Sequence, residues 1–459
     1  MEEFNVNSYY PHEKESERTE PFVYKVKIPD VSDPDTFDSR CDPDNPVEVS
    51  GQDVIDARER IKDGIIETPC KYSPKLSSEL NMQIYLKEDF RQVTGSFKER
   101  GCRNAFILLD EEQRKHGVIA ASAGNHALGL AYHGKCLGIE VTVVMPVTAP
   151  LLKIRNCISY GARVIVNGKS ISESKCYALK LARLNRLKYV NGYDDRDILA
   201  GQGSIGLEIM EQVPDAYAII VPVGGGGMLA GICAAVRNDP RGKQIKIYAV
   251  ESERSPGWTH AVEVGKPTYT NTLSTLADGL NVQVVGHNSF KTANGKVDAS
   301  YTVSEGYIAK AILRLVETEK VVVEGAAGTS LGALYGNVIP GLEGKKVVCV
   351  LGGGNIDAIL LCRVLERGLA FDGKLSQFTI IVPDVIGSIS KLSTLLVHLE
   401  ASIVDIYHER IWLVSEIFSV QVSVTIVTKD RQHSDHIRKV LETNYKQILW
   451  GGSKFAQNI

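Results

Sequence analysis

Two things are missing from this 459-residue chain: an uninterrupted apolar run of about 18 residues and an excess of charge of either sign. Without the first there is no candidate membrane span. With a net charge of only -3, nothing argues for a nucleic-acid surface, and none is expected. The opening Met-Glu-Glu-Phe-Asn-Val-Asn is acidic and has no apolar core segment, so no secretory leader is expected. The nine cysteines are odd in number and lack paired spacing, which argues against a disulfide framework or a zinc site. Reduced thiols and a cytoplasmic location are the expectation. What is present, 44% hydrophobic and 23% charged residues, is ordinary for a globular protein, and the length suits two or three domains.

Residues 1–48 are rich in Glu, Asp, Pro and Ser, too poor in apolar groups to offset chain ordering, and read as a flexible tail or clamp. A helix is expected from near Gly51, where Val54, Ala57, Ile61 and Ile65 recur at helical spacing. Strand-like runs follow at 83–87, 118–122, 140–145, 162–166, 217–223, 246–250 and 346–351, with helical runs between most of them. That alternation predicts an α/β fold, and the continuous runs Ala218-Ile219-Ile220-Val221 and Val347-Val348-Cys349-Val350 suit the centre of a parallel sheet. The character changes near 368–373. Strand 377–382, helix 388–399, strands 402–408 and 417–428, helix 433–443 and a short strand 447–450 then give a ferredoxin-like βαββαβ order. No short-period repeat is present.

Four segments carry chemistry. In Thr94-Gly95-Ser96-Phe97-Lys98-Glu99-Arg100-Gly101 a lysine sits inside an apolar, glycine-flanked turn. Held away from water, it loses part of its preference for the ammonium form and can react as an amine with a carbonyl cofactor. A surface lysine opening a helix is the alternative. Ala121-Ser122-Ala123-Gly124-Asn125-His126-Ala127 offers a hydroxyl and successive N–H groups at a helix start, a place for a carboxylate or simply a capped turn. Val223-Gly224-Gly225-Gly226-Gly227-Met228 carries an entropy cost that a plain turn does not need, and presents N–H donors where a phosphate dianion is favoured. Leu351-Gly352-Gly353-Gly354-Asn355-Ile356-Asp357 is a further glycine loop. The last three each fall where a strand gives way to a helix, as expected of one shared site with the lysine turn.

Together these segments resemble the pyridoxal-phosphate enzymes of the tryptophan-synthase-beta type, and the serine and threonine dehydratases most of all. The resemblance covers roughly residues 50–459. It implies the two-lobed open twisted sheet of fold type II over 49–368, with a small lobe inserted at about 117–195. Residues 376–459, with the turn Val382-Pro383-Asp384-Val385-Ile386-Gly387-Ser388, are similar to an ACT-type regulatory domain; a plain dimerisation appendage is the alternative. The implied cofactor is pyridoxal 5'-phosphate, held by Lys98 beside Phe97. Ser122, Ala123, Gly124, Asn125 and His126 would grip the substrate's α-carboxylate, with Asn125 also bonding the cofactor's ring hydroxyl. Gly224, Gly225, Gly226 and Gly227 would cup its phosphate. Glu324 lies where relatives keep a cofactor-proximal glutamate, although it also suits the start of a helix. Ala277-Asp278-Gly279-Leu280 resembles a further active-site loop.

The implied activity is elimination from L-threonine or L-serine to a 2-oxo acid and ammonia. Three departures bear on it. Gly352 stands where relatives carry Ser, Thr or Cys against the pyridine nitrogen. Ala123 stands where racemases of this fold carry a proton-transferring serine. Gly257 stands where cation-binding relatives complete an acidic pair with Glu251, so no metal is expected. A racemase or β-replacement enzyme, or a catalytically weak amino-acid sensor favoured by Gly352, are the other readings. The resemblance also implies a homodimer or homotetramer, an amino-acid or nucleotide effector, and no partner in nucleic acid or membrane.

Overall fold

The computed structural model describes residues 27, 29–30, 33–411 and 417–451; residues 1–26 of the expected tail lie outside them. The chain divides into two compact units, one running to Ile308 and resuming over Thr318–Ile356, the other formed by Ala309–Glu317 and the chain from Asp357 onward. The composition change near 368–373 therefore lies inside the second unit. Helix Ala358–Phe371 belongs there because Gly368 packs on the Ala309 carbonyl, where a Cβ would come within 2.8 Å, and because Asp372 pairs with Lys310 and Arg314.

The first unit holds two sheets. Strands β1 (Cys70–Tyr72) and β2 (Gln83–Lys87) come first. Next are β3 (Val118–Ala121), β4 (Val141–Met145), β5 (Arg163–Val166) and β6 (Lys188–Tyr189). The last four are β7 (Ala218–Pro222), β8 (Lys246–Ser252), β9 (Ala299–Val303) and β10 (Lys346–Val350). The larger sheet runs β1-β2-β10-β7-β8-β9, parallel except for β1, and the smaller runs β5-β4-β3-β6, parallel throughout. All residues of β7 are buried, as its unbroken apolar run requires of a strand with helices over both faces. Three strands escaped the sequence reading. β1, β6 and β9 lie at sheet borders and are short or only half-buried, so they need no apolar run.

In the second unit β11 (Leu375–Pro383), β12 (Ser402–Glu409), β13 (Ser419–Val427) and β14 (Ile448–Trp450) form an antiparallel sheet in the order β12-β13-β11-β14. With helices Ser388–His398 and Arg431–Asn444 this is the ferredoxin-like arrangement. Phe378, Ile380 and Val382 alternate inward with Val420, Val422, Val424 and Ile426, and they bury Leu392, Leu396, Ile437 and Leu441. Among the described residues strand β12 is a border of that sheet, and it is exposed along its length save Glu409. No helix among the described residues is long and apolar enough to cross a membrane.

Of the two readings of the N-terminal segment, tail or clamp, residues 33–48 follow the clamp: they are docked on the first unit. Asp35 pairs with Lys180 and Arg183, Arg40 with Asp195, and Glu48 with Lys296, while Cys41 is buried. Composition hid this because charged groups, not apolar ones, supply the contacts. The first helix, Gly51–Ile61, follows with a Ser50–Asp53 capping box, and Ile65 lies beyond its end.

Candidate functional site

The turn before Lys98 is tied to the third glycine loop. Phe97 N–H donates to Gly352 O (2.9 Å), Gly354 N–H to Gly95 O (2.9 Å), and Gly95 adopts a φ of +78° that suits glycine. Helix Lys98–Ile107 then begins with the lysine itself. Two residues on, Arg100 is wholly buried and forked onto two carboxylates. It reaches Asp89 at 2.7 and 2.8 Å and Glu208 at 2.5 and 2.9 Å. Glu208 also accepts Lys87 Nζ at 2.5 Å, and Lys87 adds Thr68 O at 2.6 Å. This saturated ionic cluster fixes the start of the helix that presents Lys98.

Lys98 has far fewer partners. Its Nζ donates to Gly192 O at 2.5 Å and lies 5.0 Å from the centre of the Phe97 ring. Burial brings the amine down to about 8, opposed by the fields of Cys102 and Glu324. A cavity of about 1250 Å³ opens beside it, lined also by Ser122, Ala123, Gly124, Asn125, the four glycines 224–227, Glu324 and Gly352. The structure therefore brings the four sequence segments to one place.

The loop after β3 enters helix Asn125–Leu137. Ser122 Oγ accepts Gly124 N–H at 3.3 Å, and the first backbone bonds of the helix run from Ala127 and Leu128 to Gly124 O. The preceding N–H groups of Asn125 and His126 stand at the helix start, favourable for an anion. Asn125 is held at both ends of its amide. Oδ1 accepts Asn355 Nδ2 at 2.9 Å, and Nδ2 donates to Glu324 at 2.9 and 3.1 Å. Burial pushes the Glu324 carboxyl up to about 7, and the Asn125 bond works against that rise.

His126 is also among the cavity-lining residues, with its backbone N–H at the helix start, while its imidazole is engaged inward. Nε2 bonds Val190 O at 3.0 Å, Nδ1 faces Cys102 Sγ at 3.5 Å, and burial lowers the ring to about 3. The Gly192 Cα lies on it so closely that a Cβ would come within 2.6 Å. The ring is a neutral prop for the 191–195 turn, and only its backbone is left for a substrate.

The second glycine loop joins β7 to helix Gly227–Asn238 through Gly226 at a φ of +92°. A Cβ at Gly225 would fall 2.3 Å from the Tyr193 ring. Tyr193 belongs to Asn191-Gly192-Tyr193-Asp194-Asp195, a turn the sequence reading passed over. Its signal was available: an Asn-Gly pair followed by two aspartates is turn and cap chemistry. Asn191 Oδ1 accepts the Tyr193 and Asp194 N–H groups at 3.1 Å, and Asp195 caps helix Arg196–Gln212. Asp278, from the less specific loop, pairs at 3.2 Å with Lys153, which also lines the cavity. Glu251 is engaged elsewhere. Its carboxylate accepts the Trp258 and Thr259 N–H groups at 2.6 and 2.9 Å, and burial raises it to about 7.

This donor set fits a phosphorylated aldehyde: a half-buried amine of lowered basicity for the carbonyl, and backbone donors at a glycine-lined helix start for the dianion. Packing enforces the bareness of that wall, since a Cβ at Gly352 would stand 3.0 Å from the Phe97 ring. The comparisons with known proteins agree. The chain is 36% identical to the L-threonine ammonia-lyase of Thermotoga maritima over 390 residues, 85% of this chain and 96% of that protein. The processed form of threonine deaminase isoform 2 from Solanum lycopersicum superposes with a TM-score of 0.65 at 30% identity, over 70% of this chain and 95% of its own. Serine racemase from Dictyostelium discoideum superposes at 0.63 and 32% identity, over 67% and 99%. Residues 61–353 match the description "pyridoxal-phosphate dependent enzyme", and this chain belongs to that family.

Proposed function

We propose that the protein is an L-threonine ammonia-lyase that also accepts L-serine, converting them to 2-oxobutanoate or pyruvate and ammonia. The observation that carries the reading is the Lys98 amine, half-buried, lowered to about 8 and open to the cavity that the glycine loops share. When bound, pyridoxal phosphate supplies the electron sink that makes the substrate's Cα–H acidic. Lys98 both anchors it and, once released, takes the Cα proton on Nζ. Ser122 and the N–H groups entering helix Asn125–Leu137 bind and orient the α-carboxylate. The N–H groups at 224–227 hold the phosphate, and Asn125, braced by Asn355 and Glu324, addresses the ring hydroxyl.

Ala123 supports elimination over racemisation, because a methyl group cannot return a proton to the opposite face. Gly352 offers no side-chain partner to the ring nitrogen, which disfavours reactions that need a long-lived carbanion and suits prompt loss of the β-hydroxyl. Threonine and serine differ by one methyl group, worth only about 1–3 kcal/mol of discrimination in an apolar pocket, so both are expected to turn over.

Residues 376–459, within the second unit, are proposed as an ACT-type regulatory domain that binds an amino-acid or nucleotide effector, with the chain a homodimer or homotetramer. Free thiols at all nine cysteines fit the cytoplasm. The test is a coupled assay of purified protein and Lys98→Ala with L-threonine, L-serine and D-serine. Rapid 2-oxobutanoate formation, lost in the variant, is expected. Unchanged turnover by Lys98→Ala, or D-serine formed from L-serine faster than pyruvate, sinks the reading.

A further inference from the structure

The docked segment before the first helix reaches the site in a way no sequence motif announces. Pro34, Phe37, Asp38 and Cys41 line the same cavity as Lys98. Arg40, between them, is not part of that lining; half-buried, it turns to the 191–197 stretch instead. Its guanidinium grips Asp195 in a fork, Nε to Oδ2 at 2.6 Å and Nη2 to Oδ1 at 2.7 Å, and it also pairs with Asp197. The Asp195 side chain is only 2% exposed and that of Arg40 30%, so the carboxylate is withdrawn from water while the guanidinium stays half-buried above it. The Arg40 carbonyl accepts Asn288 Nδ2 at 2.7 Å, and the same amide group bonds Asp194 O at 2.8 Å. Arg40 is thus fastened twice to the 191–195 turn, directly through Asp195 and through Asn288.

That turn carries three things the site depends on. Gly192 O is the hydrogen-bond acceptor for Lys98 Nζ. The Tyr193 ring underlies Gly225, and a Cβ at Gly227 would meet Tyr193 O at 2.7 Å, so the turn sets the height of the glycine loop. Asp194 holds the His287 and Ser289 N–H groups, each at 3.0 Å, at the start of helix His287–Ala293. A displaced turn would move the amine's acceptor and the floor of the glycine loop together.

We propose that Arg40 is a positioning residue of the active site: through Asp195 it holds the 191–195 turn, and with it the Lys98 acceptor and the bed of the glycine loop. The inference rests on the assignment of Lys98 and residues 224–227 to the cofactor. The contact is a planar five-donor fork on a carboxylate, so lysine can replace only part of it. A merely structural tether would act on folding alone; a positioning residue acts on the cofactor in a folded protein.

The experiment compares full-length holoenzyme with Arg40→Ala, Arg40→Lys, Lys98→Ala and, as a control for loosening the same segment elsewhere, Glu48→Gln, which breaks the pair with Lys296. Three quantities are read: the rate of pyridoxal phosphate release on dilution, the visible absorption band of the lysine-bound cofactor, and the thermal midpoint. Arg40→Ala is expected to release cofactor at least tenfold faster with an altered band, Arg40→Lys about threefold faster, and Glu48→Gln within twofold of the parent. The proposal is overturned if Arg40→Ala keeps the parent release rate and band, or if Glu48→Gln matches it. Should Arg40→Ala not fold, Arg40→Lys decides alone: a parental release rate overturns the proposal and a faster one supports it. Lys98→Ala separates the two layers of the argument. A parental band there removes the Lys98 assignment, whereas a lost band with parental Arg40 variants removes only the role of Arg40.

Discussion

Two lysines eleven residues apart are both drawn out of bulk water and meet opposite fates. Lys87 is 0% exposed and shares a cluster with Glu208, the Thr68 carbonyl and, through Glu208, Arg100 and Asp89. Each charge there has a counter-charge, and each polar atom of the lysine a partner. Lys98 has one carbonyl, an aromatic face and an open cavity. Burial alone does not make a lysine reactive; burial without a directly paired carboxylate does. The paired lysine stabilises the fold, while the sparsely partnered one is kept available for covalent chemistry.

The sharpest way to break that contrast is to remove each lysine in turn. Lys98→Ala should lower turnover by about 10²–10⁴-fold from lost proton transfer alone, and further from lost anchoring, with little change in thermal midpoint. Lys87→Met should do the reverse. It leaves Glu208 short of a counter-charge in a buried site and should destabilise by about 3–5 kcal/mol, read in denaturant unfolding, while turnover per folded molecule survives. If both variants lose activity and stability alike, the division of labour is wrong.

Glu324 sharpens the comparison from the acidic side. Burial holds its carboxyl near 7, above the unfolded value, so the folded protein favours its protonated form. That stabilisation is complete below about pH 4.5 and is lost as pH rises through 7. Glu324→Gln should flatten the decline between pH 5 and 8 by an amount on the order of 3 kcal/mol, measured as unfolding free energy at the two ends. An unchanged slope would mean the carboxyl titrates as an ordinary glutamate. The smallest effect belongs to Gly352→Ser. The new Cβ would meet the Phe97 ring at 3.0 Å and the Met228 methyl at 3.7 Å, so about 1 kcal/mol of overpacking is expected together with a changed cofactor absorption band.

Much of this was legible in the sequence for a physical reason. Lys98, the loop at 121–127 and the two glycine loops announce themselves because strand-to-helix transitions with small residues are rare and chemically specific. Interior strands such as β4, β7 and β10 were found within a residue or two because burial on both faces demands an unbroken apolar run. What escaped was held by polar contacts between distant residues. The Arg40–Asp195 and Asp35–Lys180 pairs span 155 and 145 positions, and charge-rich composition conceals rather than reveals them. His126 was legible only in part: its place in the loop pointed to a backbone N–H donor, whereas nothing in the sequence foretold that its ring turns inward to Val190, Cys102 and Gly192.

The open border of the second unit carries one practical consequence. Among the described residues β12 is paired on one side, to β13, while Ile403, Val404, Ile406 and Tyr407 stand exposed. A ribbon of that kind is a template for its own likeness. As concentration rises, two molecules are expected to meet along this seam before any other, so sample handling, salt and crowding should change the behaviour of this enzyme first at a place remote in sequence from its reactive amine.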